Sequence, residues 1–244
     1  MTAGLLEFDW RAPPGVRAAF TTRLGGVSAA PWDSFNLGAH VGDDPAAVAA
    51  NRKRLGEILA LPGEPAWLEQ VHGTAVSDLD AASPLRTADG AITRQRGRVA
   101  VIMVADCLPV LFAARDGTRI GAAHAGWRGL AAGVLEETVR ALGVPAADVV
   151  AWLGPAILQP NFEVGEDVRA AFVAHDAGTA QFFVSNARGR WQADLVGIAR
   201  RRLGALGVGE VSGGEWCTFA DRDRFFSHRR DGKGGRMAAL IWRA

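Results

Sequence analysis

Two histidines and one cysteine stand at the ends of predicted strands, where loops can bring them together. His72 follows the apolar run 67–71 and precedes Gly73, and His124 ends another apolar run among small residues. Cys107 follows a third apolar run. Neutral imidazole and thiolate are both good ligands of Zn²⁺, and three protein ligands leave a fourth position for water. These three residues therefore predict a catalytic zinc site.

The same residues allow two other interpretations. Their spacing matches neither a zinc finger nor an H-E-x-x-H helix. A second interpretation therefore makes Cys107 a small core residue and the two histidines ordinary residues at strand ends. A third makes Cys107 a nucleophile, His124 its base, and Asp106 or another carboxylate the group that orients the base, as in a cysteine hydrolase.

Anion binding in this chain depends on arginine, because Lys53 and Lys233 are the only lysines. Arg23 lies in the glycine- and hydroxyl-rich segment 21–28, where backbone N–H groups and a guanidinium are suited to an anion. The same segment is also typical of a plain turn. The other arginines available to bind phosphate are Arg52, Arg128, Arg229 and Arg230.

No ligand role is predicted for the remaining histidines and the second cysteine. His40 lies in the polar stretch 34–44 and is interpreted as a supporting residue rather than a ligand. His175 is expected on the exposed face of a helix, and Cys217 in the fold. The segment 225–231, which includes His228, predicts a solvated hairpin.

Composition narrows the class of protein. The 244 residues are 49% hydrophobic and 22% charged, which is enough apolar material for a full core. Lys and Arg number 27 against 26 Asp and Glu, and no basic run is present, so a nucleic-acid partner is not expected. No apolar run approaches the roughly 20 residues that span a bilayer, and no leader pattern opens the chain. We therefore expect a cytoplasmic protein without a membrane partner. Two cysteines exclude a disulfide framework, and the absence of tyrosine excludes tyrosine chemistry.

Periodicity predicts one domain in which groups of strands alternate with helices. A helix is predicted from Pro45 to about Leu61, after the N-cap Asp44. The other predicted helices are 129–142, 165–175 and 192–206. The predicted strands are 67–71, 99–104, 110–114, 119–123, 149–153 and 237–242, and the third and fourth of these pair through an Asp-Gly turn. Strands that arrive in groups favour an α+β domain with mixed sheets.

Six segments closely resemble the YfiH family, also called the multicopper polyphenol oxidase or laccase-domain family and described as purine nucleoside phosphorylase. They are Thr22-Arg23-Leu24-Gly25-Gly26-Val27-Ser28, Phe35-Asn36-Leu37-Gly38, Leu68-Glu69-Gln70-Val71-His72-Gly73, Ala105-Asp106-Cys107-Leu108-Pro109-Val110, His124-Ala125-Gly126-Trp127-Arg128-Gly129 and Trp152-Leu153-Gly154-Pro155-Ala156-Ile157. The resemblance implies a single α+β domain over 1–244, with mixed β-sheets and flanking helices, similar to a bacterial toxin's cysteine-hydrolase fold. It also implies that His72, Cys107 and His124 are both metal ligands and catalytic residues.

The resemblance implies several activities, which the residues help to rank. A multicopper oxidase needs roughly ten histidines and a cysteine, whereas the chain has 5 histidines. Phosphorolysis needs an anion pocket, and deamination needs a metal-activated water with an acid or base. We therefore predict a zinc-dependent purine nucleoside phosphorylase that acts on adenosine, inosine and methylthioadenosine with phosphate, and that also deaminates adenosine. Copper is the alternative metal. A cysteine- or metal-dependent amidase that edits peptidoglycan precursors, a copper-dependent polyphenol oxidase and a non-enzymatic scaffold are the alternative functions.

Substrate binding is assigned within this prediction to four polar residues and one aromatic ring. The four polar residues are Arg23, Asn36, Arg128 and Arg229. The purine is expected to stack on Phe35 or Trp127. His228 stands where many members of the family have a tyrosine, so no role of an aromatic hydroxyl is expected there.

Overall fold

Three β-sheets and six α-helices make up the computed structural model, which describes residues 4–244. The strands are β1 Val16–Phe20, β2 Pro65–Ala66, β3 Val76–Asp78, β4 Gly90–Thr93, β5 Val99–Val104, β6 Leu108–Ala114, β7 Ile120–Ala125, β8 Val149–Leu153, β9 Glu163–Val164, β10 Phe183–Ser185, β11 Trp191–Ala193, β12 Glu210–Gly213 and β13 Met237–Arg243. The helices are α1 Pro45–Leu59, α2 Trp127–Ala132, α3 Val134–Leu142, α4 Glu166–His175, α5 Leu195–Ala205 and α6 His228–Asp231. No helix among these residues is both long and apolar enough to cross a bilayer.

The two larger sheets are both mixed. One has the strand order β1-β13-β5-β2, with β2 parallel to β5 and the other pairs antiparallel. The other has the order β12-β8-β6-β7-β4-β3, with parallel pairs at its two edges. The third sheet is small and antiparallel, with the order β10-β11-β9, and none of its strands pairs with a strand of the two larger sheets. The predicted α+β domain with mixed sheets and flanking helices is confirmed.

Side chains alternate along the central strands between two cores. In β5, Ala100, Ile102 and Val104 belong to the core between the two large sheets, together with Leu111 and Ala113 of β6. The alternate residues of β5 pack with α1, and those of β6 pack with α3 and α5. Because both faces of each strand are covered, these strands appear in the sequence as continuous apolar runs rather than as an alternating pattern.

The chain passes from one large sheet to the other at the turn 105–107, which joins β5 to β6. Asp106 adopts a φ of 94° there, a conformation that L residues rarely take. The predicted strands on either side of this turn are confirmed, and so is the antiparallel pair β6–β7 after the Asp-Gly turn. The turn therefore places Cys107 at the junction of the two sheets.

Three predicted elements differ from the structure. The helix predicted over 129–142 is two helices, α2 and α3, because Gly133 between them has a φ of 104°. The helix predicted from residue 192 begins at Leu195, since residues 191–193 form β11. The strand predicted over 67–71 is wrong, because β2 ends at Ala66. By contrast, α1 begins as predicted, with the Asp44 carboxylate accepting the N–H of Ala46.

Candidate metal centre

Three elements bring His72, Cys107 and His124 together. His72 lies in the irregular segment before β3 and has a φ of 61°, Cys107 is in the β5–β6 turn, and His124 lies within β7 rather than after its end. Their ligand atoms all lie within 4.8 Å of one another. The Nε2 atom of His72 is 3.8 Å from the Cys107 sulfur, and the two imidazole rings meet edge to face at 4.8 Å. The structure therefore assembles the three predicted ligands at one point.

The backbone around Cys107 is held by Asp106. Its carbonyl oxygen accepts the N–H of Ile157 at 2.9 Å, and its carboxylate accepts the hydroxyl of Thr218 at 2.7 Å and the N–H of Arg229 at 2.6 Å. These three bonds secure a turn whose φ is unfavourable by itself. Asp106 therefore supports the backbone, and the predicted alternative in which it orients His124 is not what the structure shows.

Asp89 is the carboxylate that orients His124. Its Oδ1 atom lies 2.8 Å from His124 Nδ1, and its two oxygens also accept the backbone N–H groups of Val71, His72 and Gly73. The side chain of Asp89 is fully buried. Because Nδ1 is engaged by the carboxylate, Nε2 of His124 is the nitrogen that faces the cluster. Asp89 was not predicted from the sequence, because an aspartate before a glycine and a short strand does not by itself indicate a site.

Cys107 and His124 favour an ionised pair. Burial raises the pKa of Cys107, but the charge of His124 and the hydrogen bonds from His124 and His72 outweigh it and bring this pKa to about 6. Burial lowers the pKa of His124, but the Cys107 thiolate and Asp89 raise it to about 9. For Asp89 itself, the contacts with His124 and Gly73 outweigh burial and hold the pKa below its usual value. The site is thus built to keep a thiolate, which is the form of cysteine that binds metals.

The donor set fits one Zn²⁺ ion. One thiolate and two imidazoles are suitable ligands, and Asp89 provides the second partner that metal-binding histidines usually have. Gly126 leaves the needed space, because a Cβ atom there would lie 2.8 Å from His72 Cδ2 and 3.0 Å from the Cys107 sulfur. Among residues 4–244 this is the one cluster of three or more such ligands, so a multicopper arrangement does not fit them.

A cavity of about 160 Å³ opens beside His72 and Cys107. Trp127 and Phe162 line it with aromatic surface, and Arg128 and Arg229 add positive charge. The guanidinium of Arg128 lies 4.4 Å from the Trp127 ring, and that of Arg229 lies 5.2 Å from the Phe162 ring. Of the four predicted binding residues, Arg128 and Arg229 are therefore next to the cluster. Phe162 is a lining residue that the sequence analysis missed, since a single phenylalanine before a two-residue strand carries no signal of its own.

The structure places Arg23 and Asn36 in other roles. Arg23 forms an ion pair with Asp33 at 3.1 Å and donates to the backbone carbonyls of Asp33 and Arg222. Asn36 is fully buried, with its amide engaged by the Asp43 carboxylate and the backbone of neighbouring segments. Neither residue lines the cavity beside Cys107. Phe35 is also fully buried and has no face free for a purine, so the expected stacking on this ring is wrong.

The other predicted roles have mixed outcomes. His40 and His175 are exposed and stand outside the ligand cluster, and Cys217 lies in a structural segment that bridges to Ala156. The segment 225–231 is not a hairpin. Phe225 and Phe226 are buried in the core, and α6 follows them, capped by the hydroxyl of Ser227.

Comparison with known proteins gives one consistent family. Residues 17–244 match the model described as multi-copper polyphenol oxidoreductase laccase. The chain is 56% identical over 235 residues to a Pseudomonas aeruginosa protein and 50% identical over 239 residues to an Escherichia coli protein, both named purine nucleoside phosphorylase. The match covers 96% of both chains in the first case and 98% of both in the second.

Solved structures have the same fold. A crystal structure of a Neisseria meningitidis protein is 47% identical, with a TM-score of 0.93 over 98% of this chain and 99% of that chain. The structure of YlmD from Geobacillus stearothermophilus is 33% identical, with a TM-score of 0.91 over 100% of this chain and 97% of that one. These matches span essentially the whole domain, including the segments that carry the three ligands.

Proposed function

The chain belongs to the family described as multi-copper polyphenol oxidoreductase laccase, and we propose that it is a zinc-dependent purine nucleoside phosphorylase. The single observation that carries the proposal is the His72–Cys107–His124 cluster beside an aromatic, basic cavity. The names of the Pseudomonas and Escherichia relatives support the same activity. Adenosine, inosine and methylthioadenosine are the proposed substrates, with phosphate as the second substrate.

In this proposal the cavity binds the nucleoside. The purine lies against Trp127 and Phe162, because flat aromatic rings bind a base through stacking. The guanidiniums of Arg128 and Arg229 lie over these rings, and their N–H groups can donate to acceptor atoms of the base. The cavity is small, so we expect part of the ribose to remain near its opening, beside His72.

Phosphorolysis forms a bond between a phosphate oxygen and C1′ while the C1′–N9 bond breaks. The electron pair of that bond passes to the purine, which takes up the proton that the dihydrogen phosphate gives up. When bound by His72, Cys107 and His124, Zn²⁺ supplies a Lewis acid that stabilises negative charge developing on a ligand atom. The protein keeps Cys107 ionised, fixes the orientation of His124 through Asp89, and excludes water with the aromatic wall of the cavity.

Adenosine deamination is a second proposed activity, and the geometry favours it less. It needs a general acid or base close to a metal-bound water. Asp89 contacts His72 and His124, Asp106 precedes Cys107, and both carboxylates are occupied by hydrogen bonds within the protein. Phosphorolysis needs no carboxylate, so it accounts better for the residues present.

One observation favours a second class of function. Cys107, His124 and Asp89 are arranged like a cysteine hydrolase triad. The Cys107 thiolate lies next to the His124 imidazole, and the Asp89 carboxylate orients that imidazole. Such an enzyme would act as an amidase on peptidoglycan precursors. It would not require His72, whose Nε2 atom lies 3.8 Å from the same sulfur and could share a metal with it. The third donor is the reason that we place the metalloenzyme first.

The test is to incubate the zinc-loaded protein with adenosine and phosphate and to identify the products. The proposal predicts adenine and ribose 1-phosphate in equal amounts, and no turnover when phosphate is omitted. If the products are inosine and ammonia, the main activity is deamination rather than phosphorolysis. If the nucleoside is unchanged and the protein cleaves an amide in a muropeptide precursor, the protein is a hydrolase rather than a phosphorylase.

A further inference from the structure

The two histidines of the cluster differ in how their side chains are held. His124 is buried within β7, and its Nδ1 atom lies 2.8 Å from the Asp89 carboxylate. His72 is exposed, and in the described part of the chain its imidazole has no hydrogen-bond partner besides the Cys107 sulfur. A metal-binding histidine usually has a second partner that fixes its ring. The position of His72 therefore depends on how its backbone is held.

The backbone at His72 has an unfavourable conformation and little support from the core. Its φ of 61° lies in the left-handed region that residues other than glycine rarely adopt. Val71, the preceding residue, is 53% exposed, so its side chain does not anchor the segment. On the side of His124, the Asp89 carboxylate accepts the backbone N–H groups of residues 71–73. Asp89 thus ties this segment to His124, but it makes no such bond to the strand that leads to Cys107.

Gln70 ties the same segment to that strand. Its Nε2 atom donates to the carbonyl oxygen of Met103 at 2.8 Å, and its Oε1 atom accepts the N–H of Met103 at 2.8 Å. Met103 is the penultimate residue of β5, and the turn that contains Cys107 follows β5 directly. A carboxamide offers one acceptor and one donor group, so a single side chain satisfies both backbone groups of Met103. His72 is thereby held close to the strand that carries the sulfur ligand.

The edge of the sheet explains why this contact forms. β2 pairs with β5 only at Val99 and Ala100, whereas the other edge of β5 pairs with β13 up to Val104. Met103 is buried, so its backbone N–H and C=O need partners within the protein. The Gln70 amide supplies both of them. The side chain therefore takes the place of a neighbouring strand at this residue.

We propose that Gln70 is a positioning residue that sets the separation between His72 and Cys107. The inference rests on the proposed metal site, and Gln70 is neither a ligand nor a lining residue of the cavity beside Cys107. Asp89 holds His72 relative to His124, and Gln70 holds it relative to Cys107. Without the bonds to β5, the segment moves away from this strand, and the His72 Nε2 atom no longer stays 3.8 Å from the sulfur.

The experiment measures the affinity of the purified protein for Zn²⁺ by competition with a chromogenic chelator. Gln70→Met keeps the length of the side chain but removes both hydrogen bonds. It should lower the zinc affinity at least about tenfold, as is typical when a residue that orients a metal ligand is lost. Gln70→Asn is a milder variant that keeps the amide but is one methylene group too short to reach both atoms of Met103. It should lower the affinity by a smaller factor, of about threefold or more.

Gln159→Met is the matched control. Gln159 is also half-buried, and its Nε2 atom donates to the backbone carbonyls of Phe182 and Gln192 at 3.2 and 3.4 Å. Urea unfolding of the metal-free proteins should show lower stability in both Met variants, whereas the zinc affinity should fall only in Gln70→Met. An equal fall in Gln159→Met would overturn the proposal, because the loss would then follow from stability alone.

X-ray absorption at the zinc edge identifies the ligand that is released. In zinc-loaded Gln70→Met the sulfur ligand should remain and the nitrogen shell should be reduced, since His72 rather than Cys107 loses its position. Loss of the sulfur ligand instead would overturn the proposal, because Gln70 would then act on the turn of Cys107.

Kinetics at saturating zinc separate this inference from the proposed function. The KM for adenosine in Gln70→Met should stay within about twofold of the wild type, because Gln70 does not line the cavity. A fall in zinc affinity confined to the Gln70 variants, in a protein that does not phosphorolyse nucleosides, would support the inference and reject the function. Unchanged affinity in both Gln70 variants, with phosphorolysis intact, would reject the positioning role alone. A wild-type protein that binds no zinc would reject the metal site and this inference together.

Discussion

The surroundings of Cys107 and Cys217 differ in whether the thiol has neighbours that could share a metal with it. Both cysteines are half-buried and lie close to Asp106, Cys107 in the β5–β6 turn and Cys217 in an isolated bridge to Ala156. The Cys107 sulfur stands 3.8 Å from an imidazole nitrogen of His72 and beside His124. The Cys217 sulfur accepts hydrogen bonds from the backbone N–H of Leu158 and the side-chain amide of Asn161.

The difference lies in the chemical type of the neighbours rather than in burial. Imidazoles can carry charge and can share a metal with a thiolate, whereas neutral amides only stabilise the position of the sulfur. Cys217 is accordingly part of the fold, because it forms the bridge to Ala156. The comparison therefore predicts opposite consequences for the same substitution at the two positions.

The largest expected effect is the loss of metal in Cys107→Ala. Removal of the thiolate leaves two imidazoles, which is too few for a stable zinc site. We expect about one zinc per chain in the wild type and in Cys217→Ala, and almost none in Cys107→Ala, together with loss of nearly all turnover. Elemental analysis of the purified proteins measures this. Full zinc content in Cys107→Ala would contradict the assignment of the site.

A second prediction concerns Asp89, which has no counterpart around Cys217. Asp89→Asn keeps the shape of the side chain but removes the charge that orients His124. We expect the zinc affinity to fall about 10- to 100-fold, as is typical for such supporting partners of metal ligands. Competition with a chromogenic chelator measures the affinity. Asp43→Asn is the control, because Asp43 accepts hydrogen bonds from Ser28 and Asn36 in a loop that contains no metal ligand. Equal affinities in both variants would contradict the prediction.

The pH dependence of alkylation tests the ionisation of Cys107. In metal-free protein that carries Cys217→Ala, Cys107 is the only thiol left. Its pKa of about 6 means that the thiolate predominates above pH 6. The rate of reaction with iodoacetamide should therefore be nearly constant from pH 7 to pH 8.5 and should fall about tenfold per unit well below pH 6. A midpoint near the usual thiol value of about 8.5 would show that the histidines do not act on this sulfur.

The smallest effect is expected at the other cysteine. Asn161→Ala removes one neutral hydrogen bond to the Cys217 sulfur, so the free energy of unfolding should fall by about 0.5–1.5 kcal/mol. Zinc content and turnover should be unchanged, since no metal ligand is touched. Urea unfolding together with elemental analysis measures both quantities. Loss of zinc in this variant would show that the two cysteine regions are not independent.

Periodicity and residue type predicted much of this architecture. The apolar runs of β5, β6 and β8 indicated strands, and the Asp-Gly turn indicated the β6–β7 pair. The segment 67–71 was predicted wrongly because its backbone makes only one isolated bridge to a neighbouring segment, between Glu69 and Thr87, and side chains provide the contacts at its end. Asp89 accepts N–H groups at and beyond its end, and the side chain of Gln70 pairs with the backbone of Met103. Such contacts leave no local pattern.

The site was predictable only in part for the same reason. Residue chemistry and family resemblance indicated His72, Cys107 and His124. Asp89 was not predicted, since its contacts with His72 and His124 join distant parts of the chain. Arg23 was chosen for a glycine-rich segment typical of anion binding. In the structure the guanidinium of Arg23 is instead paired with the carboxylate of Asp33, from the following loop.

X-ray absorption at the zinc edge, on the purified wild-type protein, tests the central claim most directly. The account predicts a bound zinc with one sulfur ligand at about 2.3 Å, from Cys107, and two nitrogen ligands at about 2.0–2.1 Å, from His72 and His124, with the remaining position filled by a light atom. A zinc coordinated only by nitrogen and oxygen, or a protein that retains no zinc while it is active, would contradict the account.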